Sequence, residues 1–418
     1  MLSRCLLPVV LCSAVSASAD TWPQWRGPTR DGQISGTSWP ADLKPAHLRK
    51  AWRVELGPGY SGPVVASDRV FVTETREKQF ETVRALDRAT GRELWRQEWE
   101  GAMSVPFFAR SNGDWIRSTP AWDGQTQTLY VAGMRDVLVA LDAATGEVRW
   151  RKDFVADLGS PLPAFGFVSS PLLDDGALFV QAGGAVMRLD AATGAVVWRA
   201  LESTDGMMGS AFSSPVLASP GGRRQVLVQT RSDLAGLDPG TGAVLWTQPI
   251  EAFRGMNILT PVVVGDRILT SAYGGRTHAF DLVTDGEAGL RLVPAWEFKA
   301  QGYMSTPVVV DGHAYLHLRS QRVTCLEVAT GAERWTSGEG FGKYWSLVAN
   351  GPRILALDER GDLLLLAASP ERFTVLDRRR VAGSESWAHL AVAGSQVFIR
   401  DLDGLTTWDW SAAPTAAR

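Results

Sequence analysis

The string ALDRATGRELW occupies residues 85–95 and returns as ALDAATGEVRW at 140–150, RLDAATGAVVW at 188–198 and GLDPGTGAVLW at 236–246. A fifth copy, CLEVATGAERW, ends at Trp335, and a looser one, AFDLVTDGEAGLRLVPAW, ends at Trp296 with an insertion after Thr284. Counting from Trp95, the tryptophans are spaced by 55, 48, 48, 50 and 39 residues. That period exceeds most helical solenoid repeats and suits four strands with their turns. Within each copy, apolar residues alternate on both sides of a tight turn, the pattern of a hairpin. The Asp (Asp87, Asp142, Asp190, Asp238) can accept backbone N–H groups of the turn. The Gly four residues on (Gly91, Gly146, Gly194, Gly242) can take the positive φ that side-chain-bearing residues resist. The tryptophans Trp95, Trp150, Trp198, Trp246, Trp296 and Trp335 then fall on an outer strand, where a flat ring can dock between neighbouring sheets.

A second ladder runs in phase with the first. YSGPVV, RSTPAW, VSSPLL, FSSPVL, ILTPVV and MSTPVV carry Pro63, Pro120, Pro171, Pro215, Pro261 and Pro307, and weaker forms surround Ser346 and His389. These are eight innermost strands. Eight outer strands follow if Trp52 in KAWRVEL and the region of Phe373 join the six tryptophan strands. Trp52 precedes the first complete sheet, and the last sheet stops at TTWDW. An N-terminal strand that completes the C-terminal sheet closes the ring. The expectation is an all-β, eight-bladed propeller of four-stranded antiparallel blades over 48–410, with a strap at 20–47 and a flexible tail at 411–418.

Composition agrees and excludes other classes. Of 418 residues, 45% are apolar and 21% charged, enough to bury a large core. A net charge of −3 is too near zero for a polybasic nucleic-acid binder. The 17 Trp need a repeated structural role. The N-terminus reads as a cleaved signal: Arg4, an apolar stretch from Cys5 to Val15, and Ala17-Ser18-Ala19 before Asp20. The apolar run is shorter than the ~20 residues of a spanning helix. Cys12 follows Leu11, which is not a lipid-attachment context. Cleavage leaves Cys325 as the single thiol, so stability comes from packing and not from a disulfide. Periplasmic or secreted localisation and a monomer are expected.

These repeats resemble the tryptophan-docking repeats of pyrroloquinoline-quinone (PQQ) type propellers, and WPQWRGP (Trp22 to Pro28) resembles the start of exported members. That superfamily includes quinoprotein alcohol dehydrogenases and the propeller lipoprotein of the bacterial outer-membrane barrel-assembly machinery, so the resemblance implies the fold more than an activity. For the dehydrogenases it implies PQQ on a disulfide between adjacent cysteines, and calcium on a Glu, an Asn and an Asp. Cys325 stands alone, C-x-x-C-H is absent, and the spacing of Asp114, Asn257 and Glu385 does not single them out. No catalytic or metal-binding residue is assigned.

Other chemistries find no support. His313 and His317 share a strand face but lie about 13 Å apart, too far to chelate one ion. No G-x-S-x-G elbow or P-loop occurs, and Gly221–Arg224 reads as a solvated hairpin tip. The segments entering each inner strand converge on the central channel. They supply Tyr60; Asp114, Trp115 and Arg117; Phe165 and Phe167; Met207, Met208 and Phe212; and Arg254, Met256 and Asn257. Tyr303 and Met304, then Lys343, Tyr344 and Trp345, and finally Trp387 and His389 complete the set. Aromatic walls with a few cations suit an anionic or planar ligand or an exposed peptide; the same rings could instead plug the channel. The reading is a non-catalytic binding or scaffold module with a protein partner or small anionic or planar ligand. The alternatives are a PQQ- and calcium-dependent alcohol or sugar dehydrogenase, and an envelope assembly factor.

Overall fold

The computed structural model describes residues 20–410 apart from 37–38, 204–208, 285 and 287–288. The expected signal segment, the tail, Met207 and Met208 lie outside the described residues. Among the described residues, 32 strands form eight four-stranded antiparallel sheets, seven of which run outward in chain order. Blade 1 consists of Val64–Val65, Arg69–Arg76, Phe80–Asp87 and Glu93–Glu100. The inner strands of blades 2 to 7 begin at Ala121, Leu172, Val216, Val262, Val308 and Trp345. Blade 8 takes Ala391–Ala393, Gln396–Asp401 and Gly404–Trp410, and its outer strand is Leu48–Glu55 from the other end of the chain. Leu48 pairs with Trp410 and Glu55 with Gly404. The ring is closed by the N-terminal strand, as the sequence implies.

The D-x-x-T-G turns explain the repeat. Asp87 accepts from Thr90 through both its backbone N–H (2.9 Å) and its hydroxyl (2.7 Å), and Asp190 does the same for Thr193. These bonds hold the Asp87 and Asp190 carboxyls below their ordinary range. Each turn glycine has positive φ, 74° at Gly91 and 75° at Gly242. Glycine meets a second demand there. A Cβ at Gly242 would lie 2.6 Å from the Trp198 ring of the preceding blade, and Gly91, Gly146, Gly194 and Gly331 stand the same way beneath Trp52, Trp95, Trp150 and Trp296. Each ring's Nε1 also donates to a backbone carbonyl of that turn: Trp95 to Ala143, Trp150 to Ala191, Trp198 to Pro239 and Trp296 to Val328. Trp52 reaches Arg88 and Trp335 reaches Ser369. Trp246 differs, donating to Gln225 of its own blade at 2.6 Å. It faces blade 5, whose inserted copy has lost the T-G turn.

The Pro ladder builds an inner ring. Its members Thr119, Ser170, Ser214, Thr260 and Thr306 immediately precede proline, which holds them extended. The N–H of each of the first four donates to the hydroxyl of the next, at 2.9–3.2 Å. In blades 7 and 8, where the proline is lost, the direction reverses and Leu390 N–H donates to Ser346.

Two buried histidines sit in this framework. His317 stacks on Trp345 at 5.5 Å, and neither ring nitrogen has a hydrogen bond of good geometry. Burial holds His317 down to about 4, and burial beside Arg26 holds His389 down to about 3. An unfolded histidine takes its proton near 6.5. The stability these neutral rings confer is therefore full above about pH 6.5 and is lost as pH falls toward the folded values. Buried Glu81, pushed up to about 7, acts in the opposite sense: its contribution is full below the ordinary glutamate range and is lost as pH rises through 7. His317→Phe keeps the ring and removes one titration. Its melting temperature relative to the wild type should rise steadily from pH 7 to pH 4.5. A difference that does not change with pH would refute a neutral, buried His317.

Candidate functional site

The N-terminal strap crosses the central channel. Trp22 pairs with Val65 of blade 1, and Pro23 O accepts from Trp122 N–H of blade 2. Arg30 donates to Ser170 O and Pro171 O of blade 3, at 3.0 and 2.7 Å. Arg26 reaches Pro307 O of blade 6 at 2.7 Å, while Ile34 N–H meets Ala349 O of blade 7. The Trp22 ring lies nearly parallel to His389 of blade 8 at 6.2 Å. The short stretch from Trp22 to Ile34 thus ties six of the eight blades together.

Above the strap lies a cavity of about 230 Å³, with Trp25 among its lining residues. Arg26 and Arg30 pack against the Trp25 ring at 5.6 and 5.5 Å. Both are buried, and burial lowers them to about 10 and about 9, still charged at neutral pH. Their partners are mostly carbonyls: no carboxylate ion pair is formed by either among the described residues, and Arg26 Nε, Arg26 Nη1 and Arg30 Nε have no hydrogen bond.

From the blades, the wall takes Arg117, Tyr303, Trp387 and His389 of the expected site residues, with Tyr60, Phe165, Phe212, Met256, Met304 and Tyr344 of the wider set. Tyr344 and Trp387 are parallel within 2° at 6.0 Å, and Tyr60 sits 5.6 Å from Trp387 and 5.3 Å from Trp115. Trp115 supports the wall from behind Tyr60. Half-buried Arg117 donates to the carbonyls of Gly113 (2.9 Å) and Trp115 (3.3 Å) of its own loop. Burial lowers it to about 10.

Five expected residues are placed elsewhere. Trp345 is in the core between blades 6 and 7, its Nε1 donating to Asp358 at 2.9 Å and its ring 4.4 Å from Phe341. Phe167 is buried against Phe154 at 6.1 Å. Asn257 is buried, its Nδ2 donating to Arg231 O and Ile250 O. Arg254 is exposed on the rim, in the left-handed region (φ 53°), its guanidinium 5.8 Å from the Phe108 ring and 5.2 Å from Phe253. Lys343 is exposed beside Glu359.

The rim itself was not visible in the repeat. Phe107, Phe108 and Phe253 are 81%, 51% and 51% exposed, on two short 3-10 turns, Phe107–Asn112 and Phe253–Gly255. Ring contacts run from Phe107 through Phe108 and Phe165 to Phe212, and from Phe253 through Tyr273 to Tyr303. The only sequence signal was the paired Phe107-Phe108 between a proline and an arginine-containing loop.

PQQ with calcium does not fit these residues. The three carboxylates of PQQ would meet one guanidinium in the cavity wall. Asn257 is tied to two carbonyls, Glu385 accepts from Trp387 Nε1, and among the described residues no three His, Cys, Asp or Glu side chains are grouped to hold a metal ion.

Comparison with known proteins is consistent with this geometry. The chain is 24% identical over 304 residues to the outer membrane protein assembly factor BamB of Moranella endobia (strain PCIT), covering 69% of this chain and 71% of that one. In fold it is similar to BamB from Moraxella catarrhalis, at a TM-score of 0.62 and 19% identity over 88% of this chain and 99% of that one. It is also similar to quinohemoprotein alcohol dehydrogenase from Comamonas testosteroni, at a TM-score of 0.66 and 13% identity over 97% and 83%. No helix among the described residues is long and apolar enough to cross a membrane. The family model described as outer membrane protein assembly factor BamB matches residues 41–109 and 79–337, well over half of the sequence, and the chain belongs to that family.

Proposed function

We propose that this chain is a non-catalytic scaffold of the cell envelope that holds a protein partner in outer-membrane assembly, and that it does so at the open mouth of the ring. The observation that carries this reading is the aromatic rim. Phe107, Phe108 and Phe253 expose apolar rings in continuity with the cavity, flanked by Arg254 and by Arg319, whose guanidinium lies 4.5 Å from the Tyr273 ring. Aromatic and arginine side chains of this kind dominate binding energy at protein interfaces. Contiguous exposed apolar surface rimmed by polar groups marks an interaction site. Membership of the assembly-factor family supports a protein as the occupant. The strap adds rigidity, since it ties the blades together beneath the site and spares the mouth a reorganisation cost on binding.

Replacing Phe108 and Phe253 together by Ser should weaken binding to the barrel component of the host's assembly machinery at least tenfold. Because both rings are already half exposed, the melting temperature should hardly move. Unchanged affinity would remove the rim from the interface.

A further inference from the structure

Resting on that reading of the mouth, we infer that the cavity beneath the rim takes one aromatic group bearing a single carboxylate, with Arg117 on the carboxylate and Tyr60, Tyr344 and Trp387 around the ring. Three observations converge on it. The first is size. At about 230 Å³ the cavity lies below the ~300–1,000 Å³ of ordinary ligand pockets, so it admits one ring with its substituent and not an extended cofactor.

The second is unspent charge. Arg117 uses its Nε and one Nη on carbonyls of its own loop and makes no ion pair among the described residues. Behind Trp25, the guanidiniums of Arg26 and Arg30 add two further positive charges, again without a carboxylate ion pair. The acids nearby do not cancel them at the cavity wall. No carboxylate is among the residues that line the cavity, and Asp114, Glu359 and Glu385, whose charges reach Arg117 and Tyr60, form no ion pair with Arg117 among the described residues. A guanidinium in a partly desolvated aromatic wall binds a carboxylate through charge-assisted hydrogen bonds.

The third is unspent hydrogen bonding. Tyr60, Tyr303 and Tyr344 all line the cavity, and among the described residues none of their hydroxyls bonds to protein. The ring faces are already set for stacking, with Tyr344 and Trp387 parallel and Tyr60 tilted across them.

An aromatic residue at the free C-terminus of a partner and a free aromatic acid share this chemistry. The test uses the full chain and four probes: N-acetyl-phenylalanine, its amide, and a peptide of four glycines ending in phenylalanine, as the acid and as the amide. Binding is read by calorimetry and by quenching of tryptophan fluorescence. Both acids should bind at least tenfold more tightly than their amides. Arg117→Gln should abolish that preference, and Lys343→Ala should leave it intact. Should Arg117→Gln fold poorly, Arg117→Lys keeps the charge without the fork and should reduce the preference without erasing it. A peptide acid that outbinds N-acetyl-phenylalanine tenfold assigns the site to a chain end; equal affinity assigns it to a free acid. Equal binding of acids and amides, a preference that survives in Arg117→Gln, or no saturable binding up to 10 mM would overturn the inference. The Phe108/Phe253 measurement is independent of all four probes, so a failure here leaves the protein-binding reading standing or falling on its own result.

Discussion

Trp198→Ala is expected to cost about 3–5 kcal/mol, the range for deleting a large buried aromatic. The ring is 8% exposed, lies 6.0 Å from Phe179 of its own blade and donates its Nε1 to Pro239 O of the next. It also covers Gly242, so the substitution opens a void on both sides of the interface between blades 3 and 4. Gly242→Ala should be destabilising by itself, because the new methyl meets the indole at 2.6 Å and φ is 75°. Combined with Trp198→Ala, the steric part of that penalty should disappear and only the backbone strain remain. The two changes must therefore be strongly non-additive. A loss below about 1 kcal/mol for Trp198→Ala, or strict additivity of the pair, would mean that the ring does not dock on the glycine.

Deleting residues 20–56 should abolish cooperative folding and drive aggregation. The deletion removes the outer strand of blade 8 and exposes the pairing edge of Gly404–Trp410, where Trp408 and Trp410 are 6% and 5% exposed in the intact ring. An unpaired, apolar strand edge is a template for association. It also strips Arg53 from Asp401, a carboxylate 1% exposed in the intact ring and held at 2.9 Å. Finally it withdraws the strap from six blades. A monomeric deletion variant with an unchanged melting temperature would contradict this closure.

The fold was largely legible because its period is written twice, in the turn motif and in the proline ladder. Both motifs act between blades as well as within them: Gly242 makes room for the neighbour's Trp198, and Thr119 passes a hydrogen bond to Ser170. The insertion after Thr284 marks the blade faced by Trp246, the docking tryptophan whose indole N–H bonds within its own blade. The candidate site was legible only as a set of segments. In Lys343-Tyr344-Trp345, strand alternation sends Tyr344 to the cavity and Trp345 into the core, and the segment alone does not reveal the phase. The strap was opaque for a different reason. Trp25, Arg26 and Arg30 belong to no repeat, and Arg26 finds its carbonyl at Pro307, 281 residues away. Only the assembled ring shows that WPQWRGP closes the channel beneath the cavity.

The proposed working surface is the mouth of the ring and not the blade edges. Photo-crosslinking in the native host tests it most directly, with a photoreactive amino acid placed in turn at Phe108, Phe253, Val197 and Val244. The last two are exposed on the outer strands of blades 3 and 4. The two rim positions should crosslink to one and the same component of the outer-membrane assembly machinery, and the two outer-strand positions should not. Crosslinks to that component from Val197 or Val244, with none from Phe108 and Phe253, would contradict this assignment.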